Sequence, residues 1–236
     1  MCDVKRCFLV TGASSGIGLA IAKQLLQQGH QVVGFSRDFS KIDIINDNFF
    51  PVRIDLAQLN ALPGKLKELE QQFPSLDGVV FSAGMGRFGS LEEFSFEQIN
   101  ELMTINFTSP VMMTRVLLPK LKRKNRADLI YIGSEAALKG SRKGSVYCAS
   151  KFALRGFTQA LREECGTSPV RISLINPGMV RTPFFDRLAF EPGDDENNFL
   201  LPEDVAEAVS YVINARPQMV VDEINLNPSS KVVKKK

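Results

Sequence analysis

The stretch CFLVTGASSGIGLAIAKQL, Cys7 to Leu25, decides the fold. It opens on a short apolar run, Cys7 to Thr11, and breaks at a glycine-rich turn. It then places Ile17, Ile21 and Leu25 at helical spacing, with Gly29 where that helix would end. A run without polar alternation is a strand buried on both faces, which is the habit of parallel sheets. Six further runs read the same way: QVVGFS (Gln31 to Ser36), FPVRI (Phe50 to Ile54), GVVFS (Gly78 to Ser82), LIYIG (Leu129 to Gly133), RISLI (Arg171 to Ile175) and VVDEINL (Val220 to Leu226). Helical patterns separate them over Leu59 to Gln72, Ser95 to Lys122, Val146 to Cys165 and Pro202 to Asn214. Strands that alternate with helices in this way predict one doubly wound α/β domain of about seven parallel strands, covered by helices on both faces.

Composition agrees with a packed domain. Hydrophobic residues make up 44% of the 236 and charged residues 23%, the usage of an ordinary globular chain. The net charge is +3, yet without Lys231, Lys234, Lys235 and Lys236 the rest of the chain carries about −1. A nucleic-acid partner is therefore not expected. The single domain is assigned to residues 1–227, and the KVVKKK end reads as a solvated basic tail, 228–236. Cys2, Cys7, Cys148 and Cys165 form no CxxC and have no ligand spacing, so reduced thiols, a cytoplasmic location and no metal are expected. No run approaches about 18 uninterrupted apolar residues, so no membrane span is expected. The one histidine, His30, follows Gly29 at a helix-to-strand handover and reads as structural. A lone histidine excludes Ser-His-Asp and multi-histidine metal chemistry.

Two motifs point to chemistry. Gly12, Gly16 and Gly18 lie where the first strand turns into the first helix. There the chain needs positive φ, and a pyrophosphate can approach backbone N–H groups at the helix N-terminus. Their spacing is G-x-x-x-G-x-G, a variant of the common dinucleotide fingerprint. In SVYCASKFALRGF, Ser145 to Phe157, Tyr147 and Lys151 stand at i and i+4 and share a helix face. Taken alone, the pair reads better as a chance surface contact. As chemistry, an ammonium about 4 Å away at an effective dielectric of about 20 would lower the phenol by about 3 pKa units, toward 7.

TGASSGIG together with YCASK resembles the short-chain dehydrogenase/reductase family, and the likeness runs from Phe8 to about Asn227. The resemblance implies a Rossmann-type fold and hydride transfer between a nicotinamide cofactor and a ketone or secondary alcohol. It implies a catalytic set of Asn106, Ser134, Tyr147 and Lys151, with Ser134 thirteen residues before the tyrosine. For the cofactor it implies Gly12, Ser14, Ser15, Gly16, Ile17 and Gly18 in the turn, and Asp55 and Leu56 at the adenine. Ser82, Ala83 and Gly84 follow after the fourth strand, and Pro177, Gly178, Val180 and Thr182 at the nicotinamide, with Tyr147 and Lys151 on its ribose. FSAG, Phe81 to Gly84, departs from the family's Asn-Asn-Ala-Gly. Ser36 stands where an acid would select NAD, and Arg37 follows it, so NADP(H) is expected in preference to NAD(H).

The substrate wall is assigned to Met85, Glu135, Met179, Phe184 and Phe185, with Phe88 and Phe190 nearby. Lys139, Arg142 and Lys143 offer charges for an anionic substrate or belong to a solvated loop. The C-terminal pattern from Leu201 onward is similar to the 3-hydroxy acid dehydrogenase and sepiapterin reductase-like branches. A 3-hydroxy acid or small carbonyl substrate is thus one reading. A 3-oxoacyl-carrier-protein reductase and a silent NADP-binding regulator are the others. The resemblance also implies a homodimer or homotetramer.

Overall fold

The computed structural model describes residues 5–42 and 44–236; Cys2 lies outside them. Strands β1 (Cys7–Thr11), β2 (Gln31–Ser36), β3 (Phe49–Arg53), β4 (Leu76–Phe81), β5 (Ala127–Ile132) and β6 (Val170–Pro177) occupy the expected runs within a few residues. A short strand β7 (Phe190–Pro192) follows, then β8 (Glu223–Leu226) and β9 (Val233–Lys235). Seven strands form one parallel sheet in the order β3-β2-β1-β4-β5-β6-β8. The expected doubly wound fold is the fold observed. The last parallel strand starts only at Glu223; just before it, the carbonyls of Met219 and Asp222 accept from the Arg171 and Arg162 guanidiniums.

Helices α1 (Gly16–Gln27), α2 (Leu62–Gln72), α3 (Phe96–Met103), α4 (Ser109–Leu121), α5 (Ser145–Cys165) and α6 (Pro202–Asn214) divide the apolar residues into two cores. Ile21 and Leu25 of α1 pack with Val205, Val209 and Val212 of α6 against Phe8, Val10 and Ile130. Leu66, Leu117, Leu154 and Leu161 cover the other face over Leu9, Val79 and Leu129. Local chemistry sets the helix ends. Gly29, at φ +80°, turns the chain out of α1, and His30 follows it, its Nδ1 accepting from the Arg6 N–H. Ser95 and Gln98 cap α3 reciprocally, and Asp204 accepts from the Leu201 N–H before α6.

Two expectations are corrected. The single helix read over Ser95 to Lys122 is interrupted by a π turn, Thr104–Thr108, between α3 and α4. Pro110 has no N–H for the carbonyl four residues earlier, that of Asn106, so the α ladder cannot run through. The basic end is not a free tail. Its residues are exposed, but β9 pairs antiparallel with β7, Val233 opposite Pro192 and Lys235 opposite Phe190.

At the amino edge of the sheet, Asp128 is 1% exposed and receives Arg6 Nη1 at 2.7 Å and Arg171 at 2.6 Å. Arg6 also reaches Asp77. Removing the central anion leaves buried guanidinium charge uncompensated, which costs about 3–5 kcal/mol. Asp128→Asn should lower the unfolding free energy by that amount, read in urea as a lower midpoint with an unchanged m-value.

Candidate active site

The strand order reverses between β1 and β4, and the crevice at their carboxyl ends gathers the candidate residues. Gly12 (φ +71°) and Gly16 (φ +50°) adopt the left-handed region. A Cβ on Gly18 would lie 2.3 Å from the Gly12 carbonyl oxygen, so this glycine is what lets α1 close onto β1. A Cβ on Gly12 would stand 3.0 Å from the Ala83 backbone. The Ser15 hydroxyl makes no cap bond among the described residues, and no acid occupies the first turn of α1. The result is a glycine-walled cradle at a helix N-terminus, which suits a pyrophosphate.

Ser14 and Ser36 share a 2.6 Å hydrogen bond between hydroxyls at the end of β2, and Arg37 beside them is exposed. Asp38 turns onto Ser40, whose N–H and hydroxyl hold its carboxyl below the usual range. The Asp55 carboxylate accepts from the Ala57 N–H, and Leu56 is buried in the core. Thr11 Oγ1 accepts from the N–H groups of Ser82 and Ala83, each at 3.0 Å. The Ser82 hydroxyl has no partner among the described residues. On the far side, Thr182 lies against Gly16, and the Gly178 N–H donates to Leu226. Pro177 ends β6, and Val180 bridges to Leu200.

Asn106 is 1% exposed in the π turn. Its Oδ1 accepts from Met85 N (2.9 Å), and its Nδ2 donates to Met85 O (3.0 Å) and Ser150 Oγ (3.1 Å). Ser150 in turn donates to the Tyr147 carbonyl. Lys151 Nζ donates to Ile132 O at 3.2 Å, and a Cβ on Gly84 would lie 3.7 Å from that Nζ and 3.5 Å from Asn106 Oδ1. Ser134 ends the neighbouring strand. Its N–H donates to Asn176 Oδ1 (3.2 Å), its hydroxyl accepts from the Ala136 N–H (3.2 Å), and that hydroxyl is close enough to the Tyr147 phenol to favour its ionised form. Asn106 is thus linked through Ser150 to the Tyr147 backbone, while Ser134 and Lys151 lie beside this chain on partners of their own.

The electrostatics reverse the simple expectation of a phenol pulled toward 7. Tyr147 is 8% exposed, with Phe88 at 5.0 Å and Phe184 at 6.0 Å between ring centroids. Burial pushes its pKa up to about 12; the Ser134 hydrogen bond opposes this and the Glu135 charge adds to it. Lys151 Nζ is 5.9 Å from the ring centroid and is itself lowered to about 8 by burial. Desolvation dominates at both groups: Tyr147 lies against Phe88 and Phe184, and Lys151 is buried in its own right.

The expected substrate wall divides. Phe184 sits on Tyr147 and on Gly86, where a Cβ would come within 2.3 Å of its ring. Met179 and Phe185 instead pack with Leu188 inside the loop, and Met85 lends its backbone to Asn106. Phe190 on β7 meets Phe88 and Phe185. Lys139, Arg142 and Lys143 are exposed. Glu135 pairs with Lys231.

The family model described as short chain dehydrogenase matches residues 6–191. The chain belongs to this family. Among its relatives, the NADP-dependent 3-hydroxy acid dehydrogenase of Schizosaccharomyces pombe is 29% identical over 240 residues, covering 95% of this chain and 93% of the relative. The sepiapterin reductase of Chlorobaculum tepidum is 30% identical over 246 residues, covering 96% and 98%. The crystal structure of serine dehydrogenase from Escherichia coli superposes with a TM-score of 0.81 at 29% identity, covering 93% and 96%. This short-chain dehydrogenase is an oxidoreductase with the fold and the motifs of its relatives.

Asn176, Ser150 and Lys231 escaped the sequence reading. Asn176 had a signal, an amide near the end of a buried strand; it fixes the Ser134 backbone while its Nδ2 donates to Glu223 and Asn225. Ser150 stood unremarked between Tyr147 and Lys151.

Lys151 sets a test of sign. Its folded pKa, about 8, lies below the ordinary 10.5, so the unfolded chain holds more protons between those values and stability rises with pH there. Measured as urea midpoints, wild type should gain on Lys151→Met as pH rises from 8 to 10.5; a constant difference contradicts the burial of a charged lysine.

Proposed function

We propose that this short-chain dehydrogenase is an NADP(H)-dependent oxidoreductase acting on a small 3-hydroxy acid and its keto partner. The observation that carries the reaction is the buried Tyr147 with Ser134 at its phenol and Lys151 Nζ 5.9 Å from its ring, one turn further along α5. The residues present fit the cofactor. The Gly12–Gly18 cradle would hold the pyrophosphate. The paired hydroxyls of Ser14 and Ser36, with the free-standing Arg37 guanidinium, would receive the 2′-phosphate, for which a fork of donors is suited. Asp38, already committed to Ser40, does not compete as a ribose ligand. Bound nicotinamide supplies or removes the hydride, which no side chain can do.

The chain supplies everything else. Ser134 holds the substrate oxygen and stabilises charge that develops there. Tyr147, with its pKa near 12, is fully protonated at neutral pH and is ready to donate to a carbonyl. In the oxidative direction it must become a base, and the positive charges of Lys151 and of oxidised nicotinamide favour that form. Asn106 holds the Met85 turn and α5 in register, which keeps Lys151 beside Gly84. Phe88 and Phe184 exclude water from the proton transfer.

The substrate class is supported by the names of the relatives. One is a 3-hydroxy acid dehydrogenase, and serine, named in another, is itself a carboxylic acid with its hydroxyl on carbon 3. The aromatic cover over Tyr147 suits a small molecule better than a carrier-bound acyl chain.

Tyr147→Phe should lose turnover at least a thousand-fold while still binding NADPH by fluorescence titration, and retained activity refutes the assignment. Arg37→Ala should weaken NADPH about ten-fold, the worth of one charge-assisted contact, and leave NADH unchanged. Wild type that binds NADH as tightly as NADPH refutes the preference. A panel of 3-hydroxy acids, 3-keto esters and simple ketones, followed by nicotinamide absorbance, tests the substrate class.

A further inference from the structure

We propose that Lys231, delivered by the C-terminal strand, determines the acceptance of carboxylate substrates by cancelling the charge of Glu135 at the reacting serine. The inference rests on the 3-hydroxy acid reading and names the cation that such a substrate requires.

Glu135 directly follows Ser134 and begins the turn that Ser134 caps, the Ser134 hydroxyl accepting from the Ala136 N–H. Its carboxylate is therefore built into the serine's own turn, and it is near enough to Tyr147 to oppose phenolate formation. An uncompensated carboxylate there would repel an anionic substrate, since a 3-hydroxy acid carries its own carboxylate two carbon–carbon bonds from the reacting carbon. Lys231 Nζ meets Glu135 Oε2 at 2.5 Å and removes that repulsion. The side chain of Lys231 is 59% exposed, so its ammonium retains donors for a second anion.

The position of Lys231 is fixed from both sides. Before it, the Ser230 N–H donates to Asn197 O, and Asn198 Nδ2 donates to Ser230 O. After it, the Gly193 N–H donates to Val232 O, and β9 pairs with β7. Lys234 then pairs with Asp194, and Lys236 pairs with Glu191 and donates to Phe185 O. The other cations near the site are placed differently. Lys139, Arg142 and Lys143 belong to an exposed loop, and Arg87 faces Glu101 at 3.9 Å. Charge balance at the serine thus comes from a residue 96 positions beyond Glu135, past the motifs that define the reaction.

The test compares 3-hydroxybutyrate with its methyl ester, which shares the reacting carbon and lacks the charge. In full-length protein, Lys231→Met should raise KM for the acid about five-fold, the upper range for an exposed ion pair, with kcat held and the ester unaffected. Lys231→Glu should deepen the loss for the acid alone. Glu135→Gln combined with Lys231→Met should recover the acid. Equal losses on acid and ester, or kcat falling in place of KM, would make the strand a structural support only and overturn the proposal. Wild type that prefers the acid and a Lys231→Met variant that prefers it equally overturn the role of Lys231 alone. Wild type that treats acid and ester alike overturns the 3-hydroxy acid reading itself, and the proposal with it.

Discussion

The reacting centre depends on one buried amide. Asn106 saturates its side chain on the Met85 backbone and on Ser150, and so joins the turn after β4, the π turn and α5. A buried polar group that is fully satisfied is rigid, because any displacement strands a donor or acceptor away from water. Gly84, Tyr147 and Lys151 are carried by two of the segments that this amide holds. The π turn is the backbone's accommodation to it, and Pro110 makes the accommodation compulsory by withdrawing an N–H from the ladder.

Aromatic cover imposes a second constraint, and it works against the first chemistry that comes to mind. Phe88 and Phe184 dry the Tyr147 phenol and thereby raise its pKa, while the same burial lowers that of Lys151. Both groups are driven toward neutrality. Such a pair is poised, because a bound positive charge or a substrate oxygen shifts the balance strongly where water cannot screen it. In the proposed reaction the phenol would begin as a proton donor and become a base only in the company of added positive charge.

Most of this architecture could be read in the chain, because buried parallel strands are local signals. Cys7 to Thr11, Gln31 to Ser36 and the run around Leu129 announce themselves by composition alone, and the glycines between β1 and α1 mark the switch point. The proposed set of Asn106, Ser134, Tyr147 and Lys151 came from spacing and resemblance, since Ser134 follows one strand and Tyr147 and Lys151 share one helix. What escaped was tertiary. Nothing local distinguishes a π turn at Asn106 from an asparagine in a helix until the partners Met85 and Ser150 are known. The direction of the Tyr147 shift depended on two phenylalanines from separate loops. KVVKKK reads as charge, yet its alternating Val233, Lys234 and Lys235 form a strand once Phe190 to Pro192 is at hand to pair with it.

The knot of arginines around Asp128 lies at the opposite edge of the sheet from Ser134, with the length of β5 between them. This divides the molecule's labour along its strands. The amino ends carry costly buried charge and govern how much chain is folded; the carboxyl ends carry the glycine cradle, the serine and the ribbon, and govern what the folded chain does. Variation at one edge therefore alters abundance and variation at the other alters chemistry, so that a lineage can retune substrate choice in its loops without reopening the question of whether the sheet holds.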